Sequence, residues 1–242
     1  MLRIHSFETF WTNEWPGIRC IVFLQGCQFR CLYCHNPDTQ SMEGGKFYTV
    51  EQICEKIERV RPYFGKFWGV TISGWEPLLQ AKALIPLFVE LKKRWIHTTL
   101  DTNGYPWNGD VEVLVRDYTD LVLLDIKEIN QERHKILTWF SNLKVLKFAH
   151  WLSEIQKPTW IRYVLVPGYT DSMEDLEEFG RQISIYKNIE SVDILPYHTL
   201  GSYKYAELGI QNKLAWVSRP TQESIVSTKT IFEKYFKKVL VR

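Results

Sequence analysis

The chain alternates between strand-like and helix-like segments along most of its length, and this alternation is its strongest constraint. Runs rich in β-branched and apolar residues, such as 18–25 and 69–73, precede segments with apolar residues at helical spacing. Strands separated by helices are typical of βαβ units, in which the strands lie parallel in one sheet. About six units fit the sequence, fewer than the eight of a closed barrel. We predict an α/β fold, a partial, open (β/α)6 barrel of TIM-like type, with a doubly wound sheet as the alternative.

The predicted elements follow one another without a low-complexity linker, so we expect one domain over residues 1–242. The segment 144–148 is too short to assign to a strand or a helix. The predicted strands are 18–25, 69–73, 98–102, 120–126, 160–166, 191–195 and 238–241. The predicted helices are 50–61, 78–94, 111–117, 130–137, 172–186 and 221–236.

Polar and ligand-binding side chains follow most of the predicted strands. Cys27 comes after the first strand, the segment 73–76 after the second and the segment 101–104 after the third. Asp125 and Lys127 stand at the end of the fourth. In α/β barrels the C-terminal ends of the strands form the active site. The sequence therefore predicts an enzyme.

Three cysteines stand close together after the first strand, as Cys27-x3-Cys31-x2-Cys34. Three thiolates on a short loop can bind three irons of a cubane cluster and leave the fourth iron open, as a catalytic zinc keeps an open position. The other two cysteines, Cys20 and Cys54, lie in a predicted strand and on an apolar helix face. We expect both to be core residues.

The alternative for this motif is a zinc site that combines the three cysteines with His35. It requires two adjacent residues, Cys34 and His35, to turn onto one ion, and the paired C-x2-C motifs of zinc proteins are missing. Zinc would also leave the polar groups at the other strand ends without a role.

The cysteine spacing, with the aromatic Tyr33 before the last cysteine, resembles that of the radical S-adenosylmethionine (SAM) enzymes. The resemblance implies the partial barrel of that superfamily and a [4Fe-4S] cluster whose open iron binds SAM. It also implies reductive cleavage of SAM to methionine and a 5'-deoxyadenosyl radical. The segments LDTNGY, LLDIK, WIRYVLVPG and LPYHTLG further resemble the short form of the glycyl-radical enzyme activases.

The resemblance assigns roles to single residues, first of all to Cys27, Cys31 and Cys34 as cluster ligands. No acid–base pair is required, because the implied step is the transfer of a hydrogen atom. The residues implied to bind SAM are Tyr33, Cys34, His35, Gly74, Glu76, Asp125, Ile126, Lys127, Arg162 and His198. The residues expected to hold a monovalent cation through hard oxygen ligands are Asp101, Thr102 and Asp125.

Several of these residues have simpler interpretations. Tyr33 could serve packing alone, and Glu76 could be a first-turn charge favoured by a helix dipole. Asp125 and Lys127 could form an ordinary surface ion pair, and His198 could be a hydrogen-bonded surface histidine. The sequence leaves these alternatives open.

The implied protein substrate is pyruvate formate-lyase, with reduced flavodoxin or ferredoxin as electron donor. The alternatives are a radical SAM enzyme with another substrate and a non-catalytic iron–sulfur or zinc-binding relative. A net charge of +2 without long basic runs argues against nucleic acid as a partner. No apolar run approaches the ~20 residues of a membrane span. We expect a cytoplasmic monomer.

The chain contains ten tryptophans and only thirteen glycines. Replacing glycine by tryptophan overfills a close-packed site and adds strain at a positive-φ turn. The codon UGA is read as tryptophan in one genetic code and as glycine in another. Our hypothesis is that seven tryptophans are glycine in the natural protein; otherwise Trp75 fills the methionine side of the cofactor site. The seven positions, at which the resembling family carries glycine, are Trp11, Trp15, Trp68, Trp75, Trp95, Trp139 and Trp216.

Overall fold

The computed structural model describes residues 1–11, 19–63, 69–74 and 76–242, with the side chains of residues 10, 11 and 63 outside the description. Of the seven tryptophans above, Trp15, Trp68 and Trp75 and the side chain of Trp11 therefore lie outside the described residues. The chain divides into two units, one of residues 1–28 and 41–123 and one of residues 29–40 and 124–242. The expectation of a single domain stays a prediction.

The first unit is a mixed sheet with helices between its parallel strands. Its strands are β1 (Leu2–Trp11), β2 (Arg19–Leu24), β3 (Lys46–Tyr48), β4 (Gly69–Gly74) and β5 (His97–Thr102). Their order is β3-β1-β2-β4-β5. The strands β2, β4 and β5 are parallel, whereas β1 is antiparallel to both β2 and β3. Its helices are α1 (Val50–Val60), α2 (Ala81–Lys93) and α3 (Gly109–Val113), the last followed by a π-helical turn, Leu114–Tyr118.

The sequence prediction contains neither β1 nor β3. In β1 the buried Leu2 and Ile4 alternate with the more exposed Arg3 and His5, which is the period of a strand with one buried face. The prediction was built on parallel strands buried on both faces, which read as continuous apolar runs. An antiparallel strand with one solvent-facing side does not have that pattern.

The second unit repeats the parallel arrangement. The strand β6 (Leu121–Asp125) crosses the division between residues 123 and 124, and β7 (Thr159–Leu165), β8 (Ile189–Pro196) and β9 (Val239–Val241) follow. The pairs β7–β8 and β8–β9 are parallel. Its helices are α4 (Gln131–Thr138), α5 (Leu143–Glu154), α6 (Met173–Ile183), α7 (Ser202–Glu207) and α8 (Gln222–Glu233).

Two of these helices add to the sequence prediction. The unassigned segment 144–148 is the first part of α5, whose buried Val145, Phe148 and Leu152 recur at helical spacing. The helix α7 is short and has a single buried residue, so its sequence shows no apolar period from which a helix could be predicted.

Each unit has its own apolar core beneath the strands. In the first unit, Ile72 of β4 and Leu100 of β5 are fully buried, as is Phe88 of α2. In the second unit, the ring of Tyr163 on β7 packs edge-on against Phe179 of α6 and Phe232 of α8, with ring centroids 5.1 and 5.3 Å away. Packing in these cores fixes the strands, and the predicted site residues lie at or after the C-terminal ends of those strands.

Two tryptophans end helices in backbone conformations that favour glycine. Trp95 follows α2 with φ 58°, and its N–H donates to Lys92 O while the N–H of Ile96 donates to Leu91 O. This is the Schellman pattern, in which glycine usually takes the left-handed position. Trp139 follows α4 with φ 73° and donates its N–H to Lys135 O, the simpler left-handed cap. Both indoles are exposed, at 93% and 60%, so packing does not explain the residue type.

Trp139→Gly is expected to stabilise the protein by about 1 kcal/mol. Glycine enters the left-handed region without the Cβ conflict of roughly 1–2 kcal/mol, which outweighs its larger entropy in the unfolded chain. The matched control is Trp216→Gly, which removes a 74% exposed indole from a residue without positive φ. Urea unfolding of both variants measures the difference. A Trp139→Gly protein no more stable than the Trp216→Gly control would contradict the argument.

Candidate active site

In the first unit, the chain turns sharply where β4 ends. Gly74 has φ 107°, and a Cβ at this position would lie 2.4 Å from the backbone nitrogen and oxygen of Leu24. Only glycine fits such an approach. Two residues further on, the N–H of Glu76 donates to Gly26 O, at 3.2 Å. The turn therefore places Glu76 beside the residue that precedes Cys27.

The carboxylate of Glu76 is fully buried and accepts three hydrogen bonds. Its Oε1 accepts from the N–H of Leu78 at 2.9 Å and from Oγ1 of Thr102 at 2.6 Å. Its Oε2 accepts from the N–H of Asn103 at 2.8 Å. Glu76 caps the short 3-10 helix Pro77–Gln80, as its simpler interpretation foresees, and also binds the loop after β5. The carboxylate is thus fixed in one orientation at this strand end.

Glu76→Gln is expected to lower the free energy of unfolding by about 1–3 kcal/mol. The carboxamide NH2 replaces one acceptor oxygen and faces a buried N–H or O–H that then has no acceptor. Urea unfolding of the cluster-free protein measures the loss. The control is Glu55→Gln on the exposed face of α1, which should stay within about 0.5 kcal/mol of the parent. Equal effects of the two substitutions would refute the assigned role of Glu76.

Asn103 is a site residue to which the sequence analysis assigned no role. Its Nδ2 lies 4.0 Å from the Sγ of Cys27, within the hydrogen-bond range for sulfur. Its Oδ1 accepts from Nε2 of Gln28 at 3.1 Å and from the N–H of Tyr105 at 3.0 Å, which fixes the amide. A donor aimed at a thiolate stabilises its charge. The only signal in the sequence is the position of Asn103 directly after a predicted strand.

Two of the predicted cation ligands, Asp101 and Thr102, form hydrogen bonds within the protein. The Oδ2 of Asp101 accepts from Oγ of Ser73 at 2.7 Å. The hydroxyl of Thr102 donates to Glu76 and accepts from the N–H of Gly104 at 2.9 Å. The third proposed ligand, Asp125, belongs to the other unit. The cation site stays a prediction.

In the second unit, the cysteine segment rests on the end of α4. The N–H groups of Arg30 and Leu32 donate to the carbonyl oxygens of Thr138 and Leu137, at 3.1 and 2.9 Å. The last carbonyl groups of a helix have no intrahelical partner, so these bonds provide one for the carbonyl oxygens and for the two N–H groups. The left-handed residue 139 follows directly. The end of α4 therefore fixes the backbone on either side of Cys31.

Two histidines stack at the end of this segment. The rings of His35 and His198 are 3.9 Å apart and inclined by 27°, and Nε2 of His35 donates to the carbonyl oxygen of His198 at 3.0 Å. Burial, with a smaller contribution from His198, lowers the pKa of His35 to about 4. Burial also lowers the pKa of His198, helped by Arg219. Both rings are therefore neutral near pH 7, and their stacking costs no charge repulsion.

Four predicted cofactor-binding residues surround one cavity in the second unit: Tyr33, Cys34, His35 and His198. Tyr33 and Tyr197 are also part of a buried apolar cluster beneath it. Flat aromatic rings with a few polar atoms at their edges suit a planar heterocycle, because stacked rings attract at such distances. The lining of this cavity thus combines aromatic rings with polar atoms at their edges.

A lysine–aspartate pair lies near Tyr33. Nζ of Lys127 is 2.7 Å from Oδ2 of Asp125 and 5.8 Å from the centre of the Tyr33 ring. Both charged side chains are largely buried, which distinguishes the pair from an ordinary surface ion pair. Ile126 between them is fully buried, whereas Arg162 lies on β7 in register with Asp193 of β8. The structure thus brings Asp125 and Lys127 to the cysteine segment of their unit.

Cysteine thiolates are donors that suit an iron–sulfur cluster. Among the described residues, no three His, Cys, Asp or Glu side chains converge on one metal position. Each thiolate of a cubane cluster binds a different iron, whereas the three cysteines and His35 would all have to bind one zinc ion. His35 also uses its Nε2 on His198. Burial raises the pKa of the Cys31 thiol to about 12, so iron would have to displace its proton on binding.

Comparison with known proteins defines the class of the chain. Residues 21–180 match the model of the Radical SAM superfamily, which makes the chain a radical SAM protein. It is 43% identical to the pyruvate formate-lyase-activating enzyme of Streptococcus mutans, over 98% of this chain and 94% of that one. It is 45% identical to that of Staphylococcus aureus, over 92% of each. The chain belongs to the family of pyruvate formate-lyase-activating enzymes.

A solved structure agrees with this assignment at the level of the fold. A domain of a pyruvate formate-lyase-activating enzyme from Bacteroides vulgatus superposes with a TM-score of 0.61 at 22% identity, over 72% of this chain and 98% of that one. The predicted partial, open barrel of the radical SAM type is confirmed. The predicted cofactors, a [4Fe-4S] cluster and SAM, are those of this family and of this enzyme.

Proposed function

We propose that this chain activates pyruvate formate-lyase by removing a hydrogen atom from a glycine Cα of that protein, which leaves a glycyl radical. The observation that carries the proposal is identity of 42–45% to activating enzymes over nearly the whole chain. The chemistry of the site described above is consistent with it.

The cysteines and the aromatic cavity take the first roles in this proposal. Cys27, Cys31 and Cys34 bind three irons of the [4Fe-4S] cluster, and Asn103 donates to the sulfur of Cys27. The cluster, when bound, supplies the electron that cleaves SAM to methionine and a 5'-deoxyadenosyl radical. The residues that would contact the adenine ring are Tyr33, His35 and His198, which line the cavity. Because burial lowers the pKa of His35, its ring adds no positive charge to that cavity near pH 7.

The remaining site residues orient the other end of SAM. Gly74 allows the tight turn at the end of β4, and Glu76 would offer its fixed carboxylate to the amino group. Lys127 offers a cation to the carboxylate of SAM, with Asp125 holding its ammonium in place. The backbone at Ile126, the side chain of Arg162 and a cation at Asp101, Thr102 and Asp125 complete the proposed set.

The proposal extends to the electron donor and the state of the protein in the cell. A reduced flavodoxin or ferredoxin supplies the electron, and the activase acts as a cytoplasmic monomer without nucleic acid or membrane as partner. The net charge of +2 supports the exclusion of nucleic acid. In the described part of the chain, no helix is long and apolar enough to cross a bilayer.

The test is anaerobic reconstitution of the full chain with iron and sulfide, followed by SAM, a reductant and purified pyruvate formate-lyase. The expected result is a glycyl-radical signal by electron paramagnetic resonance (EPR), with one deoxyadenosine formed per radical. The control is pyruvate formate-lyase whose radical glycine is replaced by alanine, which should give no such signal.

The same experiment separates the alternatives. Deoxyadenosine without a radical on pyruvate formate-lyase would indicate a radical SAM enzyme with another substrate. A cluster whose EPR signal does not respond to SAM would indicate a non-catalytic iron–sulfur protein. A preparation that binds zinc and forms no cluster would overturn the proposal.

A further inference from the structure

Two residues of α7 hold the segment that follows the last cysteine. Oη of Tyr205 donates to the carbonyl oxygen of Cys34 at 2.8 Å. Nζ of Lys204 contacts Oδ1 of Asn36 and lies 3.2 Å from both carboxylate oxygens of Asp38. These contacts join positions more than 160 residues apart in the sequence, all of them within the second unit.

Gly201, the residue before α7, adds a close backbone approach to the same segment. A Cβ at this position would lie 2.1 Å from the carbonyl oxygen of His35, a distance that no real Cβ tolerates. The contacted atom is backbone, so it cannot rotate away. Any side chain at position 201 would therefore push residue 35 and the start of α7 apart.

The spacing explains how one short helix makes all of these contacts. Positions 201, 204 and 205 are separated by three and four residues, so they lie on one face of a helical turn. Tyr205 on this face is 9% exposed, whereas Tyr203 on the opposite face is 59% exposed. The sequence G-x-x-K-Y thus places the three contacting residues on one face of α7, but it does not identify residues 34–38 as their partner.

We propose that Gly201, Lys204 and Tyr205 are positioning residues that fix residues 34–38 and thereby set the place of Cys34 and His35 in the cofactor cavity. We call these three residues the α7 anchor. The hydroxyl of Tyr205 holds the peptide between the last cysteine and the stacked histidine, and Lys204 holds the chain two to four residues beyond it. The effect on the cofactor rests on the proposed function, whereas the anchoring itself does not.

The first test is amide hydrogen exchange of the full chain without cluster. In Tyr205→Phe, which keeps the ring and removes only the hydroxyl, a peptide over residues 31–40 should exchange about threefold to tenfold faster, as expected for one lost hydrogen bond. A peptide over α2 should be unchanged. Tyr203→Phe is the matched control and should leave both peptides unchanged. Unaltered exchange in Tyr205→Phe, or equal changes in both variants, would overturn the anchor.

Lys204 supplies a second, independent pair of variants. Lys204→Met removes the charge that binds Asn36 and Asp38 and should accelerate exchange in the same peptide, whereas Lys204→Arg retains the charge and should restore most of the protection. Acceleration in Lys204→Arg as large as in Lys204→Met would contradict a role for this ion pair. The pair keeps the inference testable even where Tyr205→Phe folds poorly.

The second test asks whether the anchor positions the cofactor. After reconstitution, Tyr205→Phe should contain as much iron as the parent but bind SAM several-fold more weakly, with a smaller change of the cluster EPR signal on adding SAM. Faster exchange with unchanged SAM affinity would refute the positioning role. Absence of SAM binding in the parent itself would instead refute the proposed function and leave the exchange result standing.

Discussion

Cys31→Ala is expected to abolish SAM cleavage, with a loss greater than about a hundredfold. Substitution of residues that merely support metal ligands already costs 10–100-fold, so removal of one of only three ligands should cost more. The variant should also retain less iron and sulfide after anaerobic reconstitution. Both are measured directly, as metal content and as deoxyadenosine formed. Loss of cleavage with full iron content would place Cys31 outside the cluster.

The chain supplies its own control for this prediction. Cys54 lies on the buried face of α1 and Cys20 within β2, and both are almost fully buried. Cys54→Ala should cost some stability through the small cavity that it creates, but should leave iron content and cleavage unchanged. Loss of the cluster in Cys54→Ala would show that the motif of three cysteines does not hold it alone.

The cysteine motif could be recognised from sequence because its spacing is a local property of one loop. The partial barrel was predictable for a similar reason, since each strand and helix carries its own period. The strand β1 was not, because it lies at the antiparallel side of the sheet with one face outward. The predicted strands are runs rich in β-branched and apolar residues, whereas β1 alternates buried with more exposed residues.

The contacts that support the candidate site residues could not be predicted from the sequence, for another reason. Asn103 reaches Cys27 from 76 residues away, and Tyr205 reaches Cys34 from 171 residues away. No sequence pattern identifies the partner in either contact, because each depends on how loops at the ends of distant elements meet. Glu76 is an intermediate case: its place after β4 indicated a site residue, but its bonds to Thr102 and Asn103 required the structure.

Mass spectrometry of the protein from its natural host is expected to show glycine at position 75. The residue itself lies outside the described part of the chain, but both of its neighbours are tightly held. Gly74 has no space for a Cβ, and the side chain of Glu76 is fully buried. A change from glycine to tryptophan costs about 1–3 kcal/mol for overpacking a close-packed site and about 1–3 kcal/mol for strain at a positive-φ turn.

The other six positions should show glycine in the same experiment, whereas three tryptophans should remain. Trp160 donates its indole N–H to Glu190 at 3.0 Å, and Trp107 donates to Glu112 at 3.1 Å. Trp151 is buried against Phe148, with ring centroids 5.6 Å apart. These three side chains make contacts that only a large aromatic ring can make, so they are the internal controls. Trp95 and Trp139 have rings that are 93% and 60% exposed, and both residues occupy glycine-favouring conformations. Nζ of Lys213 lies 5.6 Å from the centre of the Trp139 ring.

The consequence for function is measurable with recombinant protein. The protein with Trp75 and a Trp75→Gly variant are both reconstituted, and their SAM affinities are compared. The variant should bind SAM at least about tenfold more tightly, since a difference of about 1.4 kcal/mol corresponds to that factor. The control is Trp216→Gly, whose indole is exposed and which should leave SAM affinity unchanged. If the host protein carries tryptophan at position 75 and the variant binds SAM no better, then the indole is compatible with the cofactor turn. The recoding hypothesis would then fall, while the assignment of the three cysteines would stand.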